Sequence, residues 1–306
     1  MRLRPGRPDI TRYADRFDVP AAGPDAPLSV MWMGVATLLV DDGSTALMTD
    51  GYFSRPGLVR VGLGKVTPSP ARVDGCLARA KVSRLVAVVA LHTHIDHVMD
   101  SALVADRTGA RLVGGESAAN VGRGYGLPEN RIVVTVDGEP IRLGTFEVTL
   151  VESRHCPPDR FPGAIAEPLI PPVRASAYRC GEAWSALVGH LPSGRRLLIQ
   201  GSAGFVPGAL AGHRADVAYL SVGQLGLRPR SYLVDYWTET VRAVGARRVV
   251  MIHWDDFFRP LSEPLRALPY AGDDLDVSIR VLDGLAAQDG VTLHLPTAWQ
   301  RQDPWA

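Results

Sequence analysis

Six consecutive residues, His92-Thr93-His94-Ile95-Asp96-His97, bring three imidazoles and a carboxylate together. Polar groups crowded in this way are costly inside a protein unless each finds a partner. A divalent cation removes that cost by accepting a lone pair from each. Imidazole and carboxylate without thiolate suit Zn2+, and also Fe2+ or Mn2+. Four donors on one loop cannot enclose two metals, so further ligands must arrive from other strand ends. His155 follows the strand-like TFEVTLVES and His253 follows RRVVMI. Strand ends converge on one edge of a sheet, which is where α/β proteins assemble their sites. His190, His213 and His294 have no acidic residues beside them in the sequence and read as surface or structural residues.

The elements that must position these residues are legible from periodicity. LVAVVAL (85–91), directly before the histidine motif, is the continuous apolar run of a strand covered on both faces. The spacing predicts a helix over VMDSALVADRT, ended by Gly109. SVMWMGVATLLV and STALMTD read as two strands around Asp42-Gly43, a hairpin signal that leaves Met31, Trp32 and Met33 as buried hairpin residues. A helix opens at Ser69-Pro70, with Ser69 as its cap and Val73, Leu77 and Ala80 on one face. Later strands and helices alternate to the end of the chain, as in a layered α/β protein. Residues 156–174 hold six prolines and exclude regular structure, so this stretch reads as a lid that restricts access more than it supplies ligands. Residues 1–27 form an N-terminal arm rich in arginine and proline, and 28–306 a single domain.

Composition narrows the function. The chain has 306 residues, 33 Lys+Arg against 32 Asp+Glu, and a net charge of +1. That balance argues against nucleic acid or an anionic membrane surface as partner. No apolar stretch reaches the roughly 20 residues of a membrane span. Cys76, Cys156 and Cys180 cannot form a disulfide framework, so the expected setting is a reducing, cytoplasmic one.

Taken in order, these motifs resemble the metallo-β-lactamase superfamily from about residue 29 onward. The match comprises Met48-Thr49-Asp50-Gly51, the H-x-H-x-D-H of 92–97, His155, Gly201-Ser202 and His253. MTDGYFSRP and IHWDDF are similar to the branch containing L-ascorbate 6-phosphate lactonase and N-acyl-phosphatidylethanolamine phospholipase D. The resemblance implies a four-layer αβ/βα sandwich with two metals, Zn2+ first among them, between its sheets. Most superfamily hydrolases have a metal-bridging Asp where this chain has Ser202. The subclass that also has Ser there still binds two zincs. By that likeness the first site is His92, His94 and His155, and the second Asp96, His97 and His253.

The activity this implies is hydrolysis of a small organic substrate by a water that the metals acidify. Neutral Ser202 favours an ester or lactone carbonyl, while the branch likeness favours a phosphodiester or phospholipid. A redox diiron enzyme fits less well, since the superfamily's oxygen-reducing members carry Glu where His94 stands. A metal-binding protein without turnover is the remaining alternative. Asp96 is expected to orient the attacking water. Asp50 either hydrogen-bonds a ligand histidine or is a turn residue before Gly51. Ser202, Trp254 and Asp255 are the candidates to line the substrate pocket, with Asp256 beside them; Asp255 and Asp256 read equally well as caps of the next segment. Arg154 and Arg174 flank the lid and could hold an anion, although a solvated loop arginine is the commoner case. Cys156 reads as a small buried thiol.

Overall fold

The structure is a computed structural model that describes residues 4–306; Arg2 of the arm lies outside the described residues. Three strands open the domain, β1 (Ser29–Trp32), β2 (Leu38–Asp41) and β3 (Ala46–Thr49). The sequence suggests two. The first run breaks because Gly34 and Val35 take positive φ (88° and 49°) and reverse the chain, setting Trp32 opposite Leu38. The second reversal is the expected Asp42-Gly43 turn, where the Asp42 carboxylate accepts the amides of Ser44 and Thr45.

The chain then forms α1 (Leu58–Leu63), α2 (Pro70–Arg79), β4 (Leu85–Val89), α3 (Ile95–Val98), α4 (Ser101–Thr108), β5 (Arg111–Gly114), α5 (Glu116–Tyr125) and β6 (Ile132–Val134). Pro70 opens α2, as expected of its fixed φ. The Ser69 side chain makes no cap there; its carbonyl accepts the amides of Arg72 and Val73 instead. Gly109 ends α4 in the left-handed conformation, which a glycine adopts without steric cost.

The second half supplies β7 (Pro140–Leu143), β8 (Phe146–Ser153), β9 (Ala183–His190), β10 (Arg195–Gln200), β11 (Val217–Ser221), α6 (Arg230–Trp237), β12 (Arg248–Ile252), α7 (Leu275–Asp289) and β13 (Thr292–His294). A short β14 (Arg301–Gln302) returns to pair with β1. Two seven-stranded sheets result, in the orders β14-β1-β2-β3-β4-β5-β6 and β13-β12-β11-β10-β9-β8-β7.

Burial on both faces follows from the two-residue period of the strands. Val30, Trp32, Leu38 and Val40 share one core with Val148, Leu150, Val188 and Leu198 of the other sheet. Met31, Met33, Leu39 and Met48 point the opposite way, into a second core with Val73 of α2 and Leu103 and Val104 of α4. Helices α4 and α5 cover the first sheet, while α7 packs on β13 and α6. The fold is therefore a four-layer αβ/βα sandwich.

Strands β3 to β6 run parallel, as do β10 to β13, so loops leaving their C-terminal ends gather along one edge. The described part of the arm lies on the domain, tied by Tyr13 Oη to Asp276 (2.7 Å), Arg16 to Asp283 (2.7 Å) and the Ala22 amide to the Arg301 carbonyl (2.9 Å). No described helix is long and apolar enough to cross a membrane.

Candidate metal centre

The edge above β3 and β4 carries the histidine motif. Asp50 ends β3, is fully buried, and accepts the Leu91 amide (2.8 Å). Its other oxygen lies 2.6 Å from His97 Nδ1. That contact holds the imidazole proton on Nδ1 and turns the Nε2 lone pair toward the interior of the site. Both sequence readings of Asp50 have a counterpart here: its carboxylate contacts His97, and its φ of +54° before Gly51 (φ +86°) turns the chain.

His94 begins α3, and its carbonyl accepts the amides of His97 and Val98, so the first turn of that helix presents Asp96 and His97 together. His253 arrives from the end of β12. Its φ is +60°, uncommon for a residue with a side chain, and its amide is fixed to the Val35 carbonyl (2.9 Å). Three donor atoms converge: His97 Nε2 to His253 Nε2 is 3.2 Å, Asp96 Oδ2 to His253 Nε2 is 3.4 Å, and Asp96 Oδ2 to His97 Nε2 is 3.7 Å. Ligands about 2.0–2.1 Å from a tetrahedral zinc stand about 3.3 Å apart, so these spacings fit a divalent cation.

A second group forms from His92, His94 and His155, whose donor atoms lie within 4.8 Å of one another. His155 follows β8, and its Nδ1 donates to the Cys156 carbonyl (2.7 Å), which leaves Nε2 as the free donor. Both ring nitrogens of His92, Nε2 of His94 and Nδ1 of His253 are buried without a hydrogen-bond partner. Buried imidazole nitrogens without partners on His92 and His94, beside the three-donor groups, fit a donor set for a divalent cation. The ring centroids of His92 and His97 lie 3.7 Å apart with the rings tilted at 43°, so the two groups adjoin.

Burial keeps the first group uncharged. It pushes His92 well below the usual imidazole range, helped by the neighbouring histidines, lowers His94, and brings His155 to about 4. These rings therefore keep their lone pairs at neutral pH. His97 is the opposite case: burial works against its charge, but the Asp50 and Asp96 carboxylates outweigh it and raise its pKa. Burial likewise opposes charge on Asp96, and the imidazoles of His97 and His253 overcome it, holding the carboxyl below its ordinary range.

The residues expected to line a substrate pocket are placed differently. Ser202 Oγ accepts the Cys156 amide (3.0 Å), so the hydroxyl holds the turn that carries His155. Trp254 is 3% exposed and packs between Trp32 (5.1 Å) and Phe17 (6.1 Å) in the core. Asp255 is wholly buried. It pairs with the equally buried Arg55 (2.7 Å) and accepts the Val35 amide (2.8 Å), which commits both its oxygens. This pair joins the segments MTDGYFSRP and IHWDDF. Asp256 binds Arg7 of the arm (3.2 Å). Arg154 and Arg174 are exposed at the two ends of the lid, and Cys156 is buried. His190 and His294 do have carboxylate partners, Asp42 at 3.3 Å and Asp18 at 2.6 Å, contributed by distant segments.

Sequence reasoning missed one residue. Asp159, in the proline-rich stretch, brings Oδ1 to 3.1 Å from His94 Nε2, and His94, Asp159 and Cys180 form a third group of clustered donors. The one available signal was an acidic residue four positions after His155 in a segment bound to fold over the site.

No protein-family model matches this sequence, and no curated protein matches it. Solved structures do. Igni18, a metallo hydrolase of the archaeon Ignicoccus hospitalis, is 15% identical over 89% of this chain and 96% of its own, with a TM-score of 0.51. The metallo-β-lactamase fold protein YhfI of Bacillus subtilis is 13% identical over 90% of this chain and 98% of its own, with a TM-score of 0.50. CmlA, a diiron β-hydroxylase of Streptomyces venezuelae, is 14% identical over 92% of this chain but only 54% of its own, with a TM-score of 0.54. At such identities the likeness is one of fold, and the chain has the metallo-β-lactamase fold. A metallo hydrolase and a diiron β-hydroxylase share it, so activity must be argued from the site.

Proposed function

We propose that this chain is a hydrolase that holds two divalent cations, zinc first among them, and acts on the ester or lactone carbonyl of a small organic substrate. The observation that carries the reading is the pair of adjoining three-donor groups, His92/His94/His155 and Asp96/His97/His253, with donor spacings that suit zinc. Three protein ligands per cation is the number found where a site keeps a place for water or substrate. By the superfamily likeness, in which oxygen-reducing members carry Glu where His94 stands, hydrolysis is favoured over diiron redox chemistry.

Bound cations of this kind acidify water toward neutral pH and polarise the group under attack. The protein's own part is positional. Asp50 fixes the proton of His97 on Nδ1, the Cys156 carbonyl does the same for His155, and the Val35 carbonyl fixes the backbone of His253. Asp96 stays anionic and is the group placed to accept a hydrogen bond from the attacking water. The side chain that the lid brings to the site is a carboxylate, Asp159, which disfavours a phosphodiester relative to an uncharged carbonyl. Three free cysteines suit a reducing, cytoplasmic setting.

Metal analysis of the purified protein, with a lactone, a chromogenic cephalosporin and bis-p-nitrophenyl phosphate as substrates, tests the proposal. About two cations per chain and chelator-sensitive lactone turnover are expected. Two cations with no turnover of any substrate would leave a metal-binding protein, and turnover of the phosphate alone would reverse the substrate reading.

A further inference from the structure

We propose that Asp159 of the proline-rich lid is a ligand of the cation held by His92, His94 and His155, so that the lid closes onto that cation. The inference rests on the two-cation reading above and adds a donor to it.

The approach of Asp159 to His94 has the dimensions of two ligands sharing a metal. Its 3.1 Å separation is close to the 3.2 and 3.4 Å within the Asp96/His97/His253 group. The contact does not have hydrogen-bond geometry, and His94 Nε2 is buried without another partner, an arrangement that suits two donors directed at one cation. A neutral imidazole lone pair and an anionic oxygen at this distance repel unless a cation lies between them.

The lid segment is held where this requires. The Asp159 carboxylate accepts the Phe161 amide (3.0 Å), which sets its orientation. Phe161 and Gly163 carbonyls accept the amides of Cys180 and Gly181 (both 2.9 Å). The Arg179 guanidinium binds the Pro162 carbonyl (2.9 Å). That second segment is anchored in turn to Thr93, between two of the histidines: the Thr93 amide donates to the Cys180 carbonyl (2.8 Å) and its hydroxyl to the Arg179 carbonyl (2.5 Å). An unbroken chain of hydrogen bonds thus runs from the metal motif to Asp159.

Cys180 completes the cluster. Its Sγ lies within 4.8 Å of the Asp159 and His94 donors, on the segment that anchors the lid. Charge gives a reason for the arrangement. Asp96 is the one carboxylate of the two histidine-containing groups, and position 202 offers a neutral hydroxyl. An anion from the lid brings a second negative charge to two dications.

The test uses the full chain and zinc alone, titrated in competition with a chromophoric chelator. Asp159→Asn keeps the acceptor for the Phe161 amide, and the side chain is 23% exposed, so the variant is expected to fold, which circular dichroism checks. At least a ~10-fold loss of affinity for one zinc of the two is expected, the size seen when groups supporting a metal are removed. The cobalt-substituted protein should show an altered d–d spectrum. In the wild type, zinc should slow hydrogen exchange at Phe161, and in Asp159→Asn it should not. His155→Ala is the reference. If His155→Ala loses one zinc while Asp159→Asn, and Asp159→Ala which removes the oxygen altogether, both bind two zincs as tightly as the wild type, Asp159 is not a ligand and the two-cation reading stands. If His155→Ala also keeps both zincs, the two-cation reading itself fails. Zinc-dependent protection at Phe161 that survives in Asp159→Asn would overturn the coupling of lid to cation.

Discussion

In the first half of the molecule, the six residues after β4 and its short extension hold four donor groups, and Asp50 supports one of them from the next strand. In the second half, β8 and β12 each contribute a single histidine from its end, β10 contributes the hydroxyl of Ser202, and the lid between β8 and β9 contributes Asp159. The first half therefore sets its part of the centre by local chain geometry. The second depends on separate strand ends being brought to register by the sheet and by backbone contacts across the sandwich, such as His253 to Val35. Each cation group takes one histidine from the second half, so the two halves complete one another and neither holds a three-donor group alone.

The sharpest way to break this division is to remove one second-half donor at a time. His253→Asn deletes the imidazole at φ +60°, a conformation that Asn tolerates better than most residues, so the backbone is little disturbed. It should reduce bound metal from about two to about one per chain, the lost cation being that of Asp96 and His97. Atomic absorption on the purified variant reads this directly. Retention of both cations would mean that the first-half donors suffice, and the comparison would collapse.

Asp50→Asn tests the first half by a subtler route. The amide oxygen can still accept the Leu91 N–H, which leaves the amide nitrogen facing His97 Nδ1. That ring nitrogen must then accept, and the proton moves to Nε2, where it faces Asp96 and His253. One cation should bind about 10–100-fold more weakly, the usual effect of removing a carboxylate behind a ligand histidine. The other should be unchanged. Equal weakening of both would show that the groups are not separately held.

These contrasts also explain what could be read from the sequence. Donors four to a loop are conspicuous, and the isolated His155 and His253 stand out because each follows an apolar strand. The alternation of strands and helices makes the layered architecture legible for the same reason, since period and burial are local. Contacts between distant segments are not local. Nothing near Asp255 indicates that Arg55, 200 positions earlier, will neutralise it in the core, or that Phe17 and Trp32 will enclose Trp254. Asp159 was hidden for the opposite reason: a proline-dense segment has no periodicity from which the direction of a side chain can be read.

Buried carboxylates outside the donor groups offer a comparison of stability. In the first half, burial raises Asp100 to about 6 despite donors from Phe53 and Ser54. In the second, burial raises Asp273 to about 7 despite amides of Asp274, Gly226 and Gln224. Both folded values exceed the ordinary carboxyl range, so the folded chain binds more protons than the unfolded one. The stability from each group is full at low pH and is lost as pH rises, at up to ~1.4 kcal/mol per unit. Asp100 has finished by about pH 6, while Asp273 continues to about 7. Asp273→Asn should therefore flatten the decline between pH 6 and 7.5 in urea unfolding with chelator present, and reduce without abolishing the decline below pH 6, where Asp100 still contributes. An unchanged slope above pH 6 would rule out Asp273 as its source.

The smallest effect should belong to Ser202→Ala. A carboxylate at this position would take part in the centre directly, and removing it would cost a metal. The hydroxyl is instead bound to the Cys156 amide, one residue beyond His155, and makes no other hydrogen bond. Alanine leaves that buried amide without its acceptor, a loss of about 1 kcal/mol in unfolding experiments, and loosens the turn carrying His155. Both cations should remain, with the affinity of the one held by His155 falling only a few-fold and the other unaffected. The second half would then act at this position through backbone support, in contrast to its two histidines. If Ser202→Ala removes a cation as completely as His253→Asn does, the hydroxyl is a donor in its own right, and the division of the centre into two three-donor groups must be redrawn.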